Sequence, residues 1–213
     1  MYLEIEELTK IIGNETVLDH ITLSMDVGKI YGLWGKNGSG KTMLIRAICG
    51  LIRPSSGKVI IDSEVLGEKQ DFPQSVGALI ENPGFIDKYT GYQNLKILAE
   101  IKKEIGKEEI EAVLEKVGLQ EQKHKKYKKY SLGMKQKLGI AAALMEKPRL
   151  ILLDEPTNAL DEASVKMLHN LLLEYKQEGA LIILASHDRE ELEQLSDIIY
   201  EVENGRIKNQ YES

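Results

Sequence analysis

The sequence has little that would suit it to an oxidising compartment or to the interior of a membrane. Its single cysteine, Cys49, rules out an internal disulfide. No apolar run approaches the roughly eighteen residues that span a bilayer, and the early carboxylate of Glu4 argues against a secretory signal peptide. A formal net charge of −6 argues against a general nucleic-acid binder. These absences predict a cytosolic chain that binds no nucleic acid and in which Cys49 is a core residue.

Length and composition set the size of the fold. A chain of 213 residues, of which 42% are hydrophobic, suits a single domain with a buried core. The sequence has no internal repeat, low-complexity tract or long linker. We therefore expect residues 1–213 to form one domain.

A glycine-rich stretch lies between an apolar run, Ile30 to Trp34, and a helical pattern that begins at Met43. It reads Gly35, Lys36, Asn37, Gly38, Ser39, Gly40, Lys41 and Thr42. Glycines let successive backbone N–H groups converge on one point, and the N-terminus of the following helix adds partial positive charge. In this pattern Lys41 reaches the β- and γ-phosphates of a nucleotide, and the Thr42 hydroxyl ligates the bridging Mg²⁺. The stretch, extended to Met43, predicts a nucleoside triphosphate site.

A second motif joins four aliphatic residues, Leu150 to Leu153, to two carboxylates, Asp154 and Glu155. At the carboxyl end of a parallel strand, Asp154 can hold Mg²⁺ while Glu155 takes a proton from an attacking water. Alone, this pattern also fits a solvated strand end. Beside a phosphate loop it predicts phosphoryl transfer.

Hydrophobic spacing divides the chain into three regions. Alternation in residues 3–25 predicts antiparallel strands, and helical spacing across 91–146 predicts an inserted helical subdomain. Short buried strands alternate with helices across 147–213, which predicts a parallel α/β core completed by residues 1–90. Asn204-Gly205 predicts a hairpin turn. The predicted fold class is α/β: a P-loop NTPase core with a parallel sheet, an N-terminal antiparallel β subdomain and an inserted α-helical subdomain.

Four motifs, taken in order, resemble those of the nucleotide-binding subunit of ATP-binding cassette (ABC) transporters over essentially the whole chain. They are the phosphate loop, Tyr130 to Gln136, Asp154 to Asp161, and Ser186-His187. Residues Val76 to Leu95, together with the stretch YSLGMKQKLGIA, are most similar to the bacitracin and lantibiotic export and immunity branch. The resemblance implies the ABC ATPase fold, with ATP and Mg²⁺ as ligands.

The resemblance also implies roles for individual residues. Ser131 and Gly133 would contact the γ-phosphate of ATP held by the other subunit, so that a homodimer, or a pair with a second cassette, sandwiches ATP at the interface. A serine before a helix is also a good N-cap, so an ordinary capped helix stays open on the residues alone. His187 would contact the γ-phosphate, completing a catalytic set with Glu155 and Lys41. The loop facing the opposite subunit comprises Asn158, Ala159, Leu160 and Asp161.

Some positions depart from the family pattern. Ile12 stands where an aromatic ring usually stacks on adenine, and Glu81 where a glutamine usually contacts Mg²⁺ and senses the membrane subunit. Leu132 and Met134 replace a glycine and a glutamine in the signature. An aliphatic side chain offers no extended π face, so we expect weak base discrimination at Ile12. A carboxylate at position 81 would hold Mg²⁺ more strongly than an amide.

A lysine-rich run precedes Ser131. It consists of Lys123, Lys125, Lys126, Lys128 and Lys129. Such a run fits a solvated loop, and it also fits a surface that meets anionic lipid head groups or a membrane subunit.

Together the motifs predict an ATP-hydrolysing subunit that powers a separate integral membrane permease, with export of, or immunity to, a peptide antibiotic or drug. Through that permease the chain would lie on the inner face of the cell membrane. The alternative is a soluble ABC ATPase of complex assembly, for example in iron–sulfur cluster assembly. A small-molecule kinase would share the phosphate loop but would leave residues 131–133 and the Asp154-Glu155 pair without roles.

Overall fold

The computed structural model describes residues 1–81 and 84–212. Within these ranges the chain forms ten strands and six α-helices. The strands are β1 (Leu3–Ile12), β2 (Glu15–Met25), β3 (Lys29–Trp34), β4 (Ser56–Ile61), β5 (Glu64–Val65), β6 (Val76–Leu79), β7 (Leu150–Asp154), β8 (Leu181–Ser186), β9 (Ile198–Glu203) and β10 (Arg206–Glu212). The helices are α1 (Lys41–Ile48), α2 (Gly91–Lys102), α3 (Lys107–Lys116), α4 (Leu132–Leu144), α5 (Glu162–Gln177) and α6 (Arg189–Leu195).

A six-stranded sheet in the order β10-β9-β3-β8-β7-β6 forms the centre of the fold. Five neighbouring strands are parallel, and β10 pairs antiparallel with β9 across the predicted Asn204-Gly205 turn. Every residue of β7 and β8 is buried, as expected of parallel strands covered on both faces. The predicted parallel α/β core is therefore confirmed, with the carboxyl ends of β3, β7 and β8 at one edge of the sheet.

A second sheet, antiparallel throughout, has the order β2-β1-β4-β5. Strands β1 and β2 pair directly, with Leu3 opposite Met25, as the alternating pattern predicted. Strand β4 comes after α1 in the chain but returns to this sheet beside β1. The core between the two sheets includes α1 and buries Cys49, as predicted, and this burial raises the pKa of the Cys49 thiol.

Helices α2, α3 and α4 lie within the predicted helical range and share a core around Leu95, Leu114 and Leu138. Helix α4 joins this region to the parallel sheet. Gly77 in β6 lies so close to α4 that a Cβ at this position would overlap the carbonyl oxygen of Ala143. The division of the chain at residues 91 and 146 stays a prediction. None of the helices in the described ranges has the length and apolar character that crossing a bilayer requires.

The lysine-rich run before Ser131 forms a loop that follows one short 3₁₀ turn, Gln120–Gln122, and contains another, Tyr127–Lys129. Lys123 pairs with Glu111 at 3.0 Å, and the other four lysines are exposed. The run therefore faces solvent in the isolated chain. Contact with lipid or with a membrane subunit stays a prediction.

Candidate active site

The carboxyl edge of the parallel sheet borders a cavity of about 780 Å³. Its lining comes from the phosphate loop, the ends of β6 and β7, the start of β2 and the turn between β9 and β10. The phosphate loop and the Asp154-Glu155 pair are more than a hundred residues apart in the chain, yet both lie on this cavity. The structure therefore brings the two predicted motifs together.

Lys41 is buried at the start of α1, with its ammonium group held by the phosphate loop. Its Nζ donates hydrogen bonds to the carbonyl oxygens of Gly35, at 2.6 Å, and Lys36, at 3.3 Å. Burial lowers the pKa of Lys41, and the nearby Glu155 carboxylate acts in the opposite direction. Gly40, the preceding residue, has φ 112°, a conformation that favours glycine. The loop thus places a cation and a helix N-terminus on the cavity, which suits anionic phosphate groups.

Thr42 and Asp154 form a pair of oxygen groups beside Lys41. The Thr42 hydroxyl donates to Asp154 Oδ2 at 2.7 Å. Asp154 is buried at the end of β7, and this burial raises the pKa of its carboxyl, although the Thr42 hydrogen bond opposes the shift. Asp154 Oδ1 has no hydrogen-bond partner among the described residues. A buried carboxylate oxygen without a partner, next to a hydroxyl, fits the ligand chemistry of Mg²⁺.

Glu155 is held in a left-handed backbone conformation, φ 48°, directly after β7. Its N–H donates to the carbonyl of Ala185 at 2.8 Å, which ties this conformation to β8. Its carboxylate lies between two predicted catalytic residues, with Oε2 2.8 Å from His187 Nδ1 and Oε1 4.0 Å from Lys41 Nζ. The carboxylate is 20% exposed, so water can reach it.

The signature residues lie at the start of α4. The Ser131 hydroxyl oxygen accepts the N–H of Met134 at 3.2 Å, which makes Ser131 the N-cap. Leu132 is 64% exposed, and Gly133 lies against Ala159, whose carbonyl oxygen would be 2.8 Å from a Cβ at position 133. None of these four signature residues lines the cavity of its own chain. The structure therefore places the signature apart from the nucleotide cavity.

The segment from Asn158 to Asp161 joins β7 to α5. Asn158 lines the cavity, Ala159 has a left-handed φ of 65°, and Leu160 packs against the core of the helical region. Asp161 caps α5 by accepting the N–H of Ser164 at 2.9 Å, and hydrogen bonding to Ser164 lowers the pKa of the Asp161 carboxyl. The contact of this segment with a second subunit stays a prediction.

Ile12 and Glu81 lie at the margin of the site. Ile12, at the end of β1, is 51% exposed and is not among the residues that line the cavity, whereas Val17 is. Glu81 lines the cavity, and its carboxylate pairs with Arg46 at 2.6 Å. Residues 82 and 83, within the stretch Val76 to Leu95 that resembles the bacitracin and lantibiotic branch, lie outside the described residues. Base stacking at Ile12 and a metal contact at Glu81 stay predictions.

Six residues that line the cavity were not predicted as site residues: Glu15, Thr16, Val17, Gln136, Asn204 and Gly205. Gln136 in α4 donates to the carbonyl of Pro156 at 2.9 Å, which links the signature helix to the segment after Glu155. Asn204 was recognised only as a turn residue. The same turn places Gly205 against the phosphate loop, where its N–H donates to the Ser39 carbonyl at 2.8 Å. Such contacts between distant segments have no signature in the local sequence.

Known proteins are similar in sequence to this chain. The family described as "ABC transporter" matches residues 18–158, and an AAA domain family matches residues 125–193. The chain is 48% identical to "Uncharacterized ABC transporter ATP-binding protein YybJ" of Bacillus subtilis, over 97% of this chain and 94% of that protein. It is 42% identical to "Bacitracin transport ATP-binding protein BcrA" of Enterococcus faecalis, over 96% and 67% respectively. It is 34% identical to "Lantibiotic transport ATP-binding protein SrtF" of Streptococcus pyogenes, over 96% and 88%.

Solved structures share the fold. A chain described as "Structure of ATP binding subunit of ABC transporter" superimposes with a TM-score of 0.91 at 28% identity, over 100% of this chain and 90% of that one. "Dimeric Structure of MJ0796, a Bacterial ABC Transporter Cassette" gives a TM-score of 0.88 at 23% identity, over 99% and 98%. At 23% identity, the similarity to this second structure is evidence for the fold alone.

Proposed function

The chain belongs to the ABC transporter family as an ATP-binding subunit, and on that premise we propose that its cavity hydrolyses MgATP to power a separate integral membrane permease. The observation that carries the proposal is the cluster of Lys41, Glu155 and His187 beside the phosphate loop. A nucleotide-binding role alone would not require a carboxylate that is both open to water and in contact with a histidine.

Each group of the cavity has a part in hydrolysis. The loop N–H groups and Lys41 bind the phosphates, and Thr42 and Asp154 would hold Mg²⁺. When bound, Mg²⁺ would neutralise charge on the phosphate oxygens. Glu155 takes a proton from the water whose oxygen attacks the γ-phosphorus, as the bond to the β–γ bridging oxygen breaks. His187 orients the Glu155 carboxylate, and the products are ADP and phosphate.

A second cassette completes the site in this proposal. Ser131 and Gly133 lie outside their own cavity, so their contact with the γ-phosphate requires the ATP of another subunit. The partner is a second copy of this chain or another cassette. The dimeric cassette with the same fold supports this arrangement.

The permease and its cargo follow from the similar chains. BcrA and SrtF are described as bacitracin and lantibiotic transport ATP-binding proteins, so we assign this chain to export of, or immunity to, a peptide antibiotic or drug. In that role it lies on the inner face of the membrane through its permease and needs no nucleic acid. These relatives disfavour the alternative of iron–sulfur cluster assembly.

Affinity purification from native membranes tests the proposal. A tagged chain should recover an integral membrane protein in a stoichiometric amount, and loss of the chain should raise sensitivity to bacitracin or a lantibiotic. Chromosomal Glu155→Gln is the matched control, because it should keep the complex but reproduce the sensitivity. Recovery of soluble proteins alone, with unchanged sensitivity, would overturn the assignment to transport.

A further inference from the structure

Arg189 lies within cation–π distance of two aromatic rings close to the active site. It is the first residue of α6, two positions after His187. Its guanidinium carbon is 5.1 Å from the centre of the Trp34 ring and 4.5 Å from the centre of the Tyr211 ring. Its Nε also donates to Glu193 at 2.7 Å, within the same helix. We call Arg189, Trp34 and Tyr211 the arginine clamp.

The clamp joins three segments that are distant in the chain. Trp34 ends β3 and immediately precedes Gly35, whose carbonyl oxygen accepts a hydrogen bond from Lys41. Tyr211 lies in β10, and its hydroxyl donates to Glu201 in β9 at 2.9 Å. In the sheet, Trp34 stands beside Ser186 on one side and Glu201 on the other. Arg189 therefore ties the loop that carries His187 to the strand that carries the phosphate loop.

Hydrogen bonds from the Asp188 N–H to Ser186 Oγ, at 3.1 Å, and from Ser186 Oγ to Glu191, at 3.0 Å, hold the backbone around His187 but leave its ring free to turn. The His187 side chain is 55% exposed, and among the described residues its ring hydrogen-bonds to Glu155 alone. Helix α6 has only seven residues, which is too short to be rigid by itself. A guanidinium in contact with two rings restricts the start of α6, because cation–π contacts with a planar group are directional as well as attractive.

We propose that Arg189 is a positioning residue: the arginine clamp holds the His187 loop so that Nδ1 stays within hydrogen-bonding distance of Glu155. This inference rests on the proposed part of His187 and Glu155 in hydrolysis. Arg189 does not line the nucleotide cavity, so the clamp acts on turnover and leaves nucleotide binding unchanged. Arg189 and Tyr211 both contribute, because each contact of the guanidinium restricts the start of α6.

Steady-state ATPase kinetics of clamp variants test the inference. Arg189→Ala should lower kcat by about tenfold, on the scale of two cation–π contacts, with KM for ATP within about twofold. Tyr211→Leu should likewise lower kcat while leaving KM nearly unchanged. It provides a second test if Arg189→Ala does not fold. Lys208→Ala is the matched control, since Lys208 is a cation of the same strand as Tyr211 and pairs with Glu203 instead. It should keep wild-type kcat.

A double-mutant cycle with His187→Ala separates positioning from general support. Once His187 is removed, Arg189→Ala should produce no further fall in kcat. Equal falls in both backgrounds, or a fall in Lys208→Ala as large as in Arg189→Ala, would overturn the inference. Wild-type kcat in Arg189→Ala would overturn it and leave the proposed function standing. Wild-type kcat in His187→Ala would instead refute the proposed role of His187, and with it the inference.

Tryptophan fluorescence reports on the clamp directly. Trp34 is the single tryptophan of the chain, so selective excitation observes this site alone. Removal of the stacked guanidinium should change the emission intensity of Trp34 in Arg189→Ala, while Lys208→Ala should match the wild type. Identical spectra for the wild type and Arg189→Ala would show that the stack does not exist in solution, which would overturn the inference.

Discussion

Replacing Glu155 with glutamine isolates the proton-accepting role of its carboxylate. In the wild type, Glu155 Oε2 lies 2.8 Å from His187 Nδ1. The amide keeps the shape of the side chain and can still hydrogen-bond to His187, but it cannot accept a proton from water. General-base assistance contributes about 10²–10⁴-fold, or about 2.7–5.4 kcal/mol at 1.36 kcal/mol for each factor of ten. We therefore expect kcat to fall at least about a hundredfold.

Binding of ATP should change much less. The contact between Glu155 and Lys41 is long, at 4.0 Å, and the Lys41 ammonium keeps its hydrogen bonds to the carbonyl oxygens of Gly35 and Lys36 when Glu155 is replaced. We expect the Kd for MgATP to stay within about fivefold of the wild type.

Initial-rate assays, equilibrium binding and size-exclusion chromatography measure the three consequences of Glu155→Gln. An ATP-bound dimer should accumulate, because its hydrolysis is blocked while its formation is not. Glu174→Gln is a suitable control: Glu174 is an exposed carboxylate on α5 that pairs with Lys116, away from the cavity. Retention of more than a tenth of wild-type kcat in Glu155→Gln, or a monomer with and without ATP, would refute the reasoning.

Three further predictions concern the margin and the metal ligands of the site. Ile12→Tyr should bind ATP more tightly, since base–aromatic stacking contributes about 1–3 kcal/mol. The wild type should hydrolyse GTP at a rate comparable to that for ATP. If calorimetry shows no gain in ATP affinity for Ile12→Tyr, the base does not reach position 12. Glu81→Gln should keep basal hydrolysis within several-fold of the wild type but raise the magnesium concentration needed for half-maximal activity. Superimposable magnesium titrations of the two proteins would mean that Glu81 pairs with Arg46 and does not contact the metal. Asp154→Asn should abolish hydrolysis yet raise the Tm of the nucleotide-free, magnesium-free protein at neutral pH. Burial raises the pKa of the Asp154 carboxyl, so its ionised form destabilises the fold and the Tm difference should shrink as the pH falls; a lower Tm for Asp154→Asn at neutral pH would contradict this.

The motifs that the sequence revealed are those whose chemistry is local. The phosphate loop needs only a strand, glycines and a helix start, and the Asp154-Glu155 pair needs only a buried strand that ends in carboxylates, so both could be recognised from short windows. The partner of a strand is different, because alternation identifies a strand but not its neighbour. Strand β4 therefore could not be assigned to the antiparallel sheet in advance. The same limit applies to Asn204, whose place on the cavity depends on how β9 and β10 pack.

The backbones of β6 and α4 approach each other closely at Gly77 and Ala143, and this contact can act as a pivot. No side chain separates the two backbones there, so we expect a tilt of the helical region to turn about this point, near the C-terminal end of α4. Ser131 stands at the other end of α4, which has 13 residues and is therefore about 20 Å long. With a lever arm of that length, a tilt of about 10° displaces Ser131 by about 3 Å. That is the span of a hydrogen bond, so a small rotation at Gly77 would be enough to make or break the proposed contact of Ser131 with a phosphate.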